Sequence, residues 1–437
     1  MLDSVISSIE KYRQPNSRVV LALSGGVDSR VLLDLLAQYQ AQNQSVTCFA
    51  IHIHHGLSDN ADGWVECCQK WCDQYQLPLV TERVELNLGG QVSLEQEARN
   101  KRYQALTKHI NKNDLLLTGQ HCDDQMETFL LALKRGSGPK GLSAMPKVTE
   151  FSDGWLLRPL LDVFRADIVN YAQQKKLHWI EDESNQDTKF DRNFLRNDII
   201  PKLKKRWPTI AKSVLRSSQL CADQEALINE LLAERLAQYI DNDCGLCIAQ
   251  LETESELARN QLLRLWLAKQ NCIMPSLVQL QLIWQQVALA KEDANPVINI
   301  TSGQVRRFRN RLYCIQKSTD VTFWSADMFV DKTIRLPDSL GKICLTSKYG
   351  SGNLSLRAPT QHEQVRVHFN PTGLVAHPLG RGHSRKLKKL FQEYNVPSWL
   401  RTRTPIIMYG NEVAMLVNLF VCKDFHGDDC EIQWDKV

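Results

Sequence analysis

Residues 19–29, Val-Val-Leu-Ala-Leu-Ser-Gly-Gly-Val-Asp-Ser, constrain this chain more than any other stretch. Five apolar residues in succession suit a strand buried on both faces of a parallel sheet. Ser24, Gly25 and Gly26 permit a tight turn with close backbone approach, and a helical pattern opens at Arg30. Strand, small-residue loop and helix in that order present successive backbone N–H groups as an anion cradle, here Ser24, Gly25, Gly26, Val27, Asp28 and Ser29. No Gly-Lys-Ser/Thr follows the glycines and the pattern is not GxGxxG, so this is neither a Walker loop nor a dinucleotide fingerprint. A carboxylate beside a phosphate would repel it unless a divalent cation lay between, which makes Asp28 a candidate Mg ligand. The plainer reading is a glycine turn capping a helix, with Ser24 as N-cap and Asp28 complementing the helix dipole.

A β-α rhythm follows. Residues 45–54 read as a second strand, 62–75 as a helix, 79–84 as a third strand, 94–109 as a helix with Ser93 and Gln96 as its capping box, and 114–119 as a fourth strand. Another helix is expected over 158–176. After Pro201 the pattern turns helical, over 210–239, 254–269 and 277–291, with Trp266 and Trp284 as core residues. Strands return over 297–315, residues 319–334 read as a linker, and the final segment, 422–437, reads as polar and frayed. The fold class is therefore α/β: an N-terminal open parallel-sheet nucleotide-binding domain (1–205), a helical middle domain (206–325) and a small α+β C-terminal domain (326–437).

In such a sheet the ligand crevice lies beyond the carboxyl ends of the strands. His55, just past the second strand, is a candidate for the nucleotide pocket, with a satisfied rim histidine as the alternative. The fourth strand delivers Thr118-Gly119-Gln120-His121-Cys122-Asp123-Asp124-Gln125-Met126-Glu127-Thr128. Gly119 joins the nucleotide-binding set. Asp123 and Glu127 are one helical turn apart, and with Asp124 they can bind a second face of Mg, orient a cationic amine or accept its proton. An acidic first turn favoured by the dipole is the bland alternative. Residues 133–142 form a basic glycine-rich loop suited to a lid. Arg192 and Arg196, four apart, make a ladder for phosphate or carboxylates.

The chain has 437 residues, 43% of them hydrophobic and 23% charged, and the longest apolar runs fall short of a membrane span. No secretory signal is evident, and thirteen scattered cysteines suit free thiols in the cytoplasm. The lone CxxC, Cys244 and Cys247, lacks the partners of a metal site. The net charge is +4 but uneven, with nine Lys or Arg against two acids over 189–216 and seven against one over 381–403. These patches are the footprint of a polyanion binder, and Phe391, Tyr394 and Trp399 allow base stacking.

Taken together, Ser24 to Ser29 resembles the signature of the ATP-pyrophosphatase superfamily. The set His54-His55-Gly56-Leu57, Glu97-Ala98-Arg99 with Arg102-Tyr103, Thr118 to Thr128, Glu181-Asp182 with Arg192-Asn193 and Arg196, and Arg385 to Glu393 resembles the tRNA(Ile)-lysidine synthetase family across nearly the whole chain. The resemblance implies ATP and Mg as cosubstrate and metal, with Asp28 and Asp123 as metal residues. L-lysine and a tRNA(Ile) with a CAU anticodon are the implied partners, with no membrane and a homodimer as a possible assembly. It further implies adenylation of the cytidine C2 oxygen, release of pyrophosphate, and displacement of AMP by the lysine amine. Asp28, Asp123, Asp124, Glu127, Arg192 and Arg196 are the implied catalytic group. The two rival readings are a pyrophosphate-loop tRNA thiolase and a non-catalytic nucleotide-regulated RNA-binding protein.

Overall fold

A computed structural model describes residues 1–436 except 57, 59, 87–93, 292–293 and 348–353, and leaves the side chains of 94–96 and 184 aside. Leu57 and the Ser93–Gln96 capping box thus lie outside the described residues. The chain divides into two compact units, Met1–Leu231 and Leu232–Val437.

The first unit runs α1 (Leu2–Tyr12), β1 (Val19–Ala22), α2 (Val27–Gln42), β2 (Cys48–His54), α3 (Ala61–Gln74), β3 (Leu79–Arg83), α4 (Leu94–Thr107), β4 (Leu115–Leu117) and α5 (Cys122–Lys134). It continues through α6 (Pro139–Leu142), β5 (Val148–Phe151), β6 (Gly154–Leu157), α7 (Arg165–Gln174), α8 (Asp191–Phe194), α9 (Ile200–Arg206) and α10 (Ile210–Tyr239), which crosses the unit boundary. The sheet order is β3-β2-β1-β4-β6-β5, parallel except for the antiparallel edge strand β5. Alternation along β1 fills two cores: Val19 and Leu21 pack with α1, α2, α3 and α7, while Val20 packs with α4 residues Tyr103 and Leu106. β1 lies between β2 and β4, so chain direction switches sides there and a crevice opens at the carboxyl ends of β1 and β4.

The expected helix over 158–176 begins only at Arg165. Pro159 disfavours helical geometry at Arg158, whose N–H instead bonds Lys147 O at 2.9 Å and whose buried guanidinium donates to Pro146 O at 2.7 Å.

The second unit contains β7 (Leu246–Cys247), α11 (Ile248–Glu252), α12 (Glu256–Lys269), α13 (Leu277–Leu282), β8 (Val297–Ile300), β9 (Gly303–Phe308) and β10 (Arg311–Gln316). These strands form a sheet ordered β7-β10-β9-β8, against which the helices close a core centred on the fully buried Trp266. Trp284 is only half-buried, with Arg259 over its ring. Next come β11 (Ser325–Met328), β12 (Thr333–Arg335), β13 (Lys342–Thr346), β14 (Val365–His368), β15 (Val375–Ala376), β16 (Arg385–Lys386), α14 (Leu387–Glu393), β17 (Ile406–Tyr409), β18 (Glu412–Leu416), β19 (Phe420–Val421) and β20 (Glu431–Asp435). The segment expected as a linker supplies β11, paired with β14, and the segment expected to fray supplies β20, paired with β13. Both partners are remote in sequence, and pairing satisfies backbone groups that a local pattern leaves open. α14 buries Leu387 and Leu390 as its spacing requires. Among the described residues no helix is long and apolar enough to cross a membrane.

Candidate active site

The loop after β1 is built by its small residues. Gly25 adopts φ +91°, and a Cβ there would stand 2.6 Å from Ile180 Cδ1. The Ile180 N–H bonds Gly25 O at 3.0 Å, which lays the acidic stretch at Glu181 and Asp182 beside the loop. Ser29 Oγ ties the turn, lying 3.0 Å from Ser24 Oγ, accepting from the Gly25 N–H at 3.1 Å and donating to Gly26 O at 3.0 Å. Gly26 is the N-cap of α2 and accepts its first internal bond from Arg30 N at 2.9 Å. The N–H groups of Val27, Asp28 and Ser29 precede that bond and face the crevice end of the helix, the arrangement that attracts phosphate.

Gly119, after β4, is a packing glycine. A Cβ on it would meet Ser29 N at 3.1 Å and Asp28 Cβ at 3.3 Å. The two loops therefore touch. At their contact lies His121, with a side chain 1% exposed, whose Nε2 is 3.5 Å from Asp28 Oδ1 and 3.4 Å from Asp124 Oδ2, while Nδ1 is 4.0 Å from Asp123 Oδ2. Burial alone would lower its pKa, but Asp28, Asp124 and Asp123 together raise it. His121 lies in the polar stretch after the fourth strand, and that position, four residues past Leu117, is the sequence signal it carries.

The acidic residues of α5 have separate partners. Asp123 is tied on both oxygens, to Lys204 Nζ from α9 and to the Arg165 N–H that opens α7 at 3.0 Å. Burial would raise this carboxyl, but those two donors outweigh it and hold it below the usual range. Asp124 accepts from the His121 N–H at 3.0 Å and from Arg196 Nη2 at 3.1 Å. Glu127, 1% exposed, takes Arg196 Nε at 2.7 Å and Nη2 at 3.0 Å. Its pKa nonetheless rises, since burial exceeds the effect of Arg196. Arg192 donates to Thr128 Oγ1 at 3.4 Å, so both arginines face α5. Lys204 belongs to the basic run over 189–216, and its partnership with Asp123 carries no sequence signal. Lys134 of the expected lid pairs with Asp191 at 2.7 Å.

The histidines divide. His52 is a satisfied core residue, its Nδ1 2.9 Å from Leu23 O, and His54 sits 3.4 Å from Asp62 at the rim. His55, just past β2, has a buried Nδ1 with no hydrogen-bond partner among the described residues, and burial together with Arg102 pushes its pKa down to about 4, leaving it neutral at pH 7.

Among the described residues Asp28 Oδ1, Thr118 Oγ1, Gln120 Oε1 and His121 Nδ1 are likewise buried without a hydrogen-bond partner, and all belong to the segments that directly follow β1 and β4. Unpartnered buried polar atoms are costly, so their gathering marks a place that a polar ligand completes. Asp28 Oδ1 fits a hard cation that takes its remaining ligands from substrate phosphates. Asp123 offers no such open oxygen while Lys204 and Arg165 hold it.

Residues 2–203 match the family model described as a PP-loop domain, 246–313 that of the TilS substrate binding domain, and 365–436 that of the TilS substrate C-terminal domain. The tRNA(Ile)-lysidine synthase of Vibrio vulnificus is 56% identical over 428 residues, with 98% of each chain covered. That of Vibrio parahaemolyticus is 53% identical, covering 98% of this chain and 97% of its own. That of Photobacterium profundum is 48% identical, covering 99% of both.

Proposed function

This chain belongs to the tRNA(Ile)-lysidine synthase family, and from that membership we propose how its site carries out ATP-dependent lysidine formation. The observation that carries the reading is the set of unpartnered buried atoms on Asp28, Thr118, Gln120 and His121 behind the open N–H groups of α2.

The substrates in this reading are ATP, L-lysine and the tRNA(Ile) bearing a CAU anticodon. The N–H groups of Val27, Asp28 and Ser29, with Ser24, Gly25 and Gly26 shaping the turn, hold the β- and γ-phosphates, and Gly119 and His55 border the nucleotide. Preorganised donors at the departing pyrophosphate contribute several kcal/mol to such a step. Asp28 would hold Mg, whose charge offsets that of the phosphates when bound. The cytidine C2 oxygen attacks the α-phosphorus, pyrophosphate leaves, and the lysine ε-amine then displaces AMP.

Asp123 already holds one primary ammonium, that of Lys204. The ε-ammonium of the substrate lysine is the same chemical group and can take its place, with Asp123 receiving the proton that frees the amine for attack. A metal role for Asp123 would need the same release. Arg196 fixes Asp124 and Glu127 as the wall of this pocket, and Arg192 is the nearer candidate for an RNA phosphate.

We assign residues 1–205 to catalysis and 206–325 and 326–437 to tRNA binding. Free thiols at all thirteen cysteines suit the reducing cytoplasm. A homodimer is compatible with this reading and is checked by sedimentation. The thiolase alternative asks for reactive sulfur, whereas burial pushes Cys122, the first residue of the acidic helix, up to about 12.

The test is to incubate the protein with ATP, Mg, labelled lysine and either tRNA(Ile) or tRNA(Met), then digest the RNA and identify the modified nucleoside. Lysidine in tRNA(Ile) alone is expected; label in neither tRNA overturns the reading. Truncation after about residue 325 should weaken tRNA affinity at physiological salt.

A further inference from the structure

The second unit contains a cavity of about 700 Å³ between the β9–β10 hairpin, the segment after α10 and the segment after α14. Three aromatic rings line it. Trp399 lies 5.4 Å from Tyr313 at an interplanar angle of 49°, and 6.0 Å from Phe308 at 79°. The rings are tilted against one another rather than stacked, and each contributes surface to the cavity.

The charged groups at the cavity differ in availability. Arg311 is spent: its Nε pairs with Asp241 at 3.1 Å and its Nη1 donates to Gly245 O at 3.1 Å. Arg309 is not. It is exposed, lies 5.8 Å from the Phe308 ring, and pairs with no carboxylate among the described residues. Asp243, also exposed, keeps its carboxylate at the rim.

Arg309 also occupies an unfavourable backbone position. Phe308 pairs directly with Arg311, so Arg309 and Asn310 are the two residues of a tight hairpin turn, with φ of +46° and +58°. Such turns favour Asn and Gly, and a long side chain held at positive φ stores strain that a purely structural turn has no reason to keep.

An open guanidinium, a group of aromatic faces and a rim acceptor are together the chemistry that receives an unstacked base and its phosphate. We propose that this cavity receives an unpaired nucleotide of the bound tRNA, with its base against Trp399 and its phosphate against Arg309. The inference rests on the tRNA substrate of the function proposed above. Asp243 accepts from the N–H groups of the base. Arg309 disfavours a cationic amine as occupant, and the size of the cavity suits one nucleotide better than a helical stem.

The experiment uses the full-length protein, a fluorescein-labelled single-stranded pentamer of adenylate, and tRNA(Ile). Trp399→Ala should weaken pentamer binding about tenfold or more, with Trp399→Phe retaining most of it. Arg309→Glu, on an exposed turn, should weaken it and lower the salt slope by about one. In lysidine formation both Trp399→Ala and Arg309→Glu should raise KM for tRNA while leaving kcat at saturating tRNA unchanged. Trp399 packs against two rings, so Arg309→Glu decides the matter if Trp399→Ala unfolds. A folded Arg309→Glu variant with unchanged pentamer affinity and unchanged KM overturns the proposal while wild-type lysidine formation leaves the function standing. Absence of lysidine formation by the wild type would instead strike the function itself.

Discussion

His121 Nε2 stands 3.5 Å from Asp28 Oδ1, so the residue that opens α5 meets the carboxylate that follows the glycine loop, and the two halves of the crevice join through one buried imidazole. His121→Asn keeps a polar group of smaller reach. It should fold normally and lower kcat for lysidine formation about 10²-fold, the cost typical of a misplaced catalytic group. Steady-state kinetics at saturating ATP, lysine and tRNA measure it, and a kcat within twofold of wild type would show the contact to be dispensable.

Gly119→Ala tests the contact between the loops directly. The added methyl meets Ser29 N at 3.1 Å and the Asp28 carbonyl carbon at 3.2 Å, and backbone there cannot yield without moving the open N–H groups at the start of α2. KM for ATP should rise about tenfold, while KM for tRNA stays near the wild-type value. Equal increases in both would point to general loosening instead.

Arg196→Ala leaves Glu127 buried without its cation. The cost should be about 3 kcal/mol, read from urea unfolding. Burial already holds the Glu127 carboxyl above its ordinary value of 4.5, so the folded state binds that proton more tightly than the unfolded chain. Its contribution to stability is full below the unfolded value and is lost as pH rises through the folded one. Removing Arg196 raises the folded value further, so the deficit of the variant should grow as pH rises above the wild-type folded value, which itself lies above 4.5. A deficit independent of pH would assign the loss to packing. Arg196→Met with Glu127→Leu should recover most of the stability without the activity.

Asp114→Ala separates stability from catalysis. Asp114, with a side chain 3% exposed, accepts from Arg18 Nε at 3.0 Å, the Arg18 N–H at 3.1 Å and the Asn111 N–H at 2.8 Å. These residues precede β1 and β4, at the amino ends of the two central strands, opposite the crevice. Loss of the carboxylate should cost about 3 to 5 kcal/mol in urea unfolding, while kcat at a temperature where the variant remains folded stays close to wild type.

The glycine loop, β1 and α2 were legible because an apolar run, small residues and a helical period are each local signals. Ile210–Tyr239 was legible as one helix for the same reason. Residues 325–328 and 431–435 were not, since a strand that pairs with a remote partner carries little mark of it in its own residues. Arg192 and Arg196 could be placed on one helical side by spacing, but spacing could not choose between phosphate and carboxylate as the partner of Arg196. The fold chose Glu127 and Asp124.

The sequence by itself determined the parallel sheet, the tight glycine turn after β1 and the acidic helix after β4, because each follows from the order of residues within one or two turns of chain. Tertiary structure alone decided that Gly119 must be small, that His121 joins Asp28 to Asp124, and that Lys204 holds Asp123. Those relations depend on distances between segments far apart in sequence, which are set when burying the two faces of the sheet brings the carboxyl ends of β1 and β4 side by side.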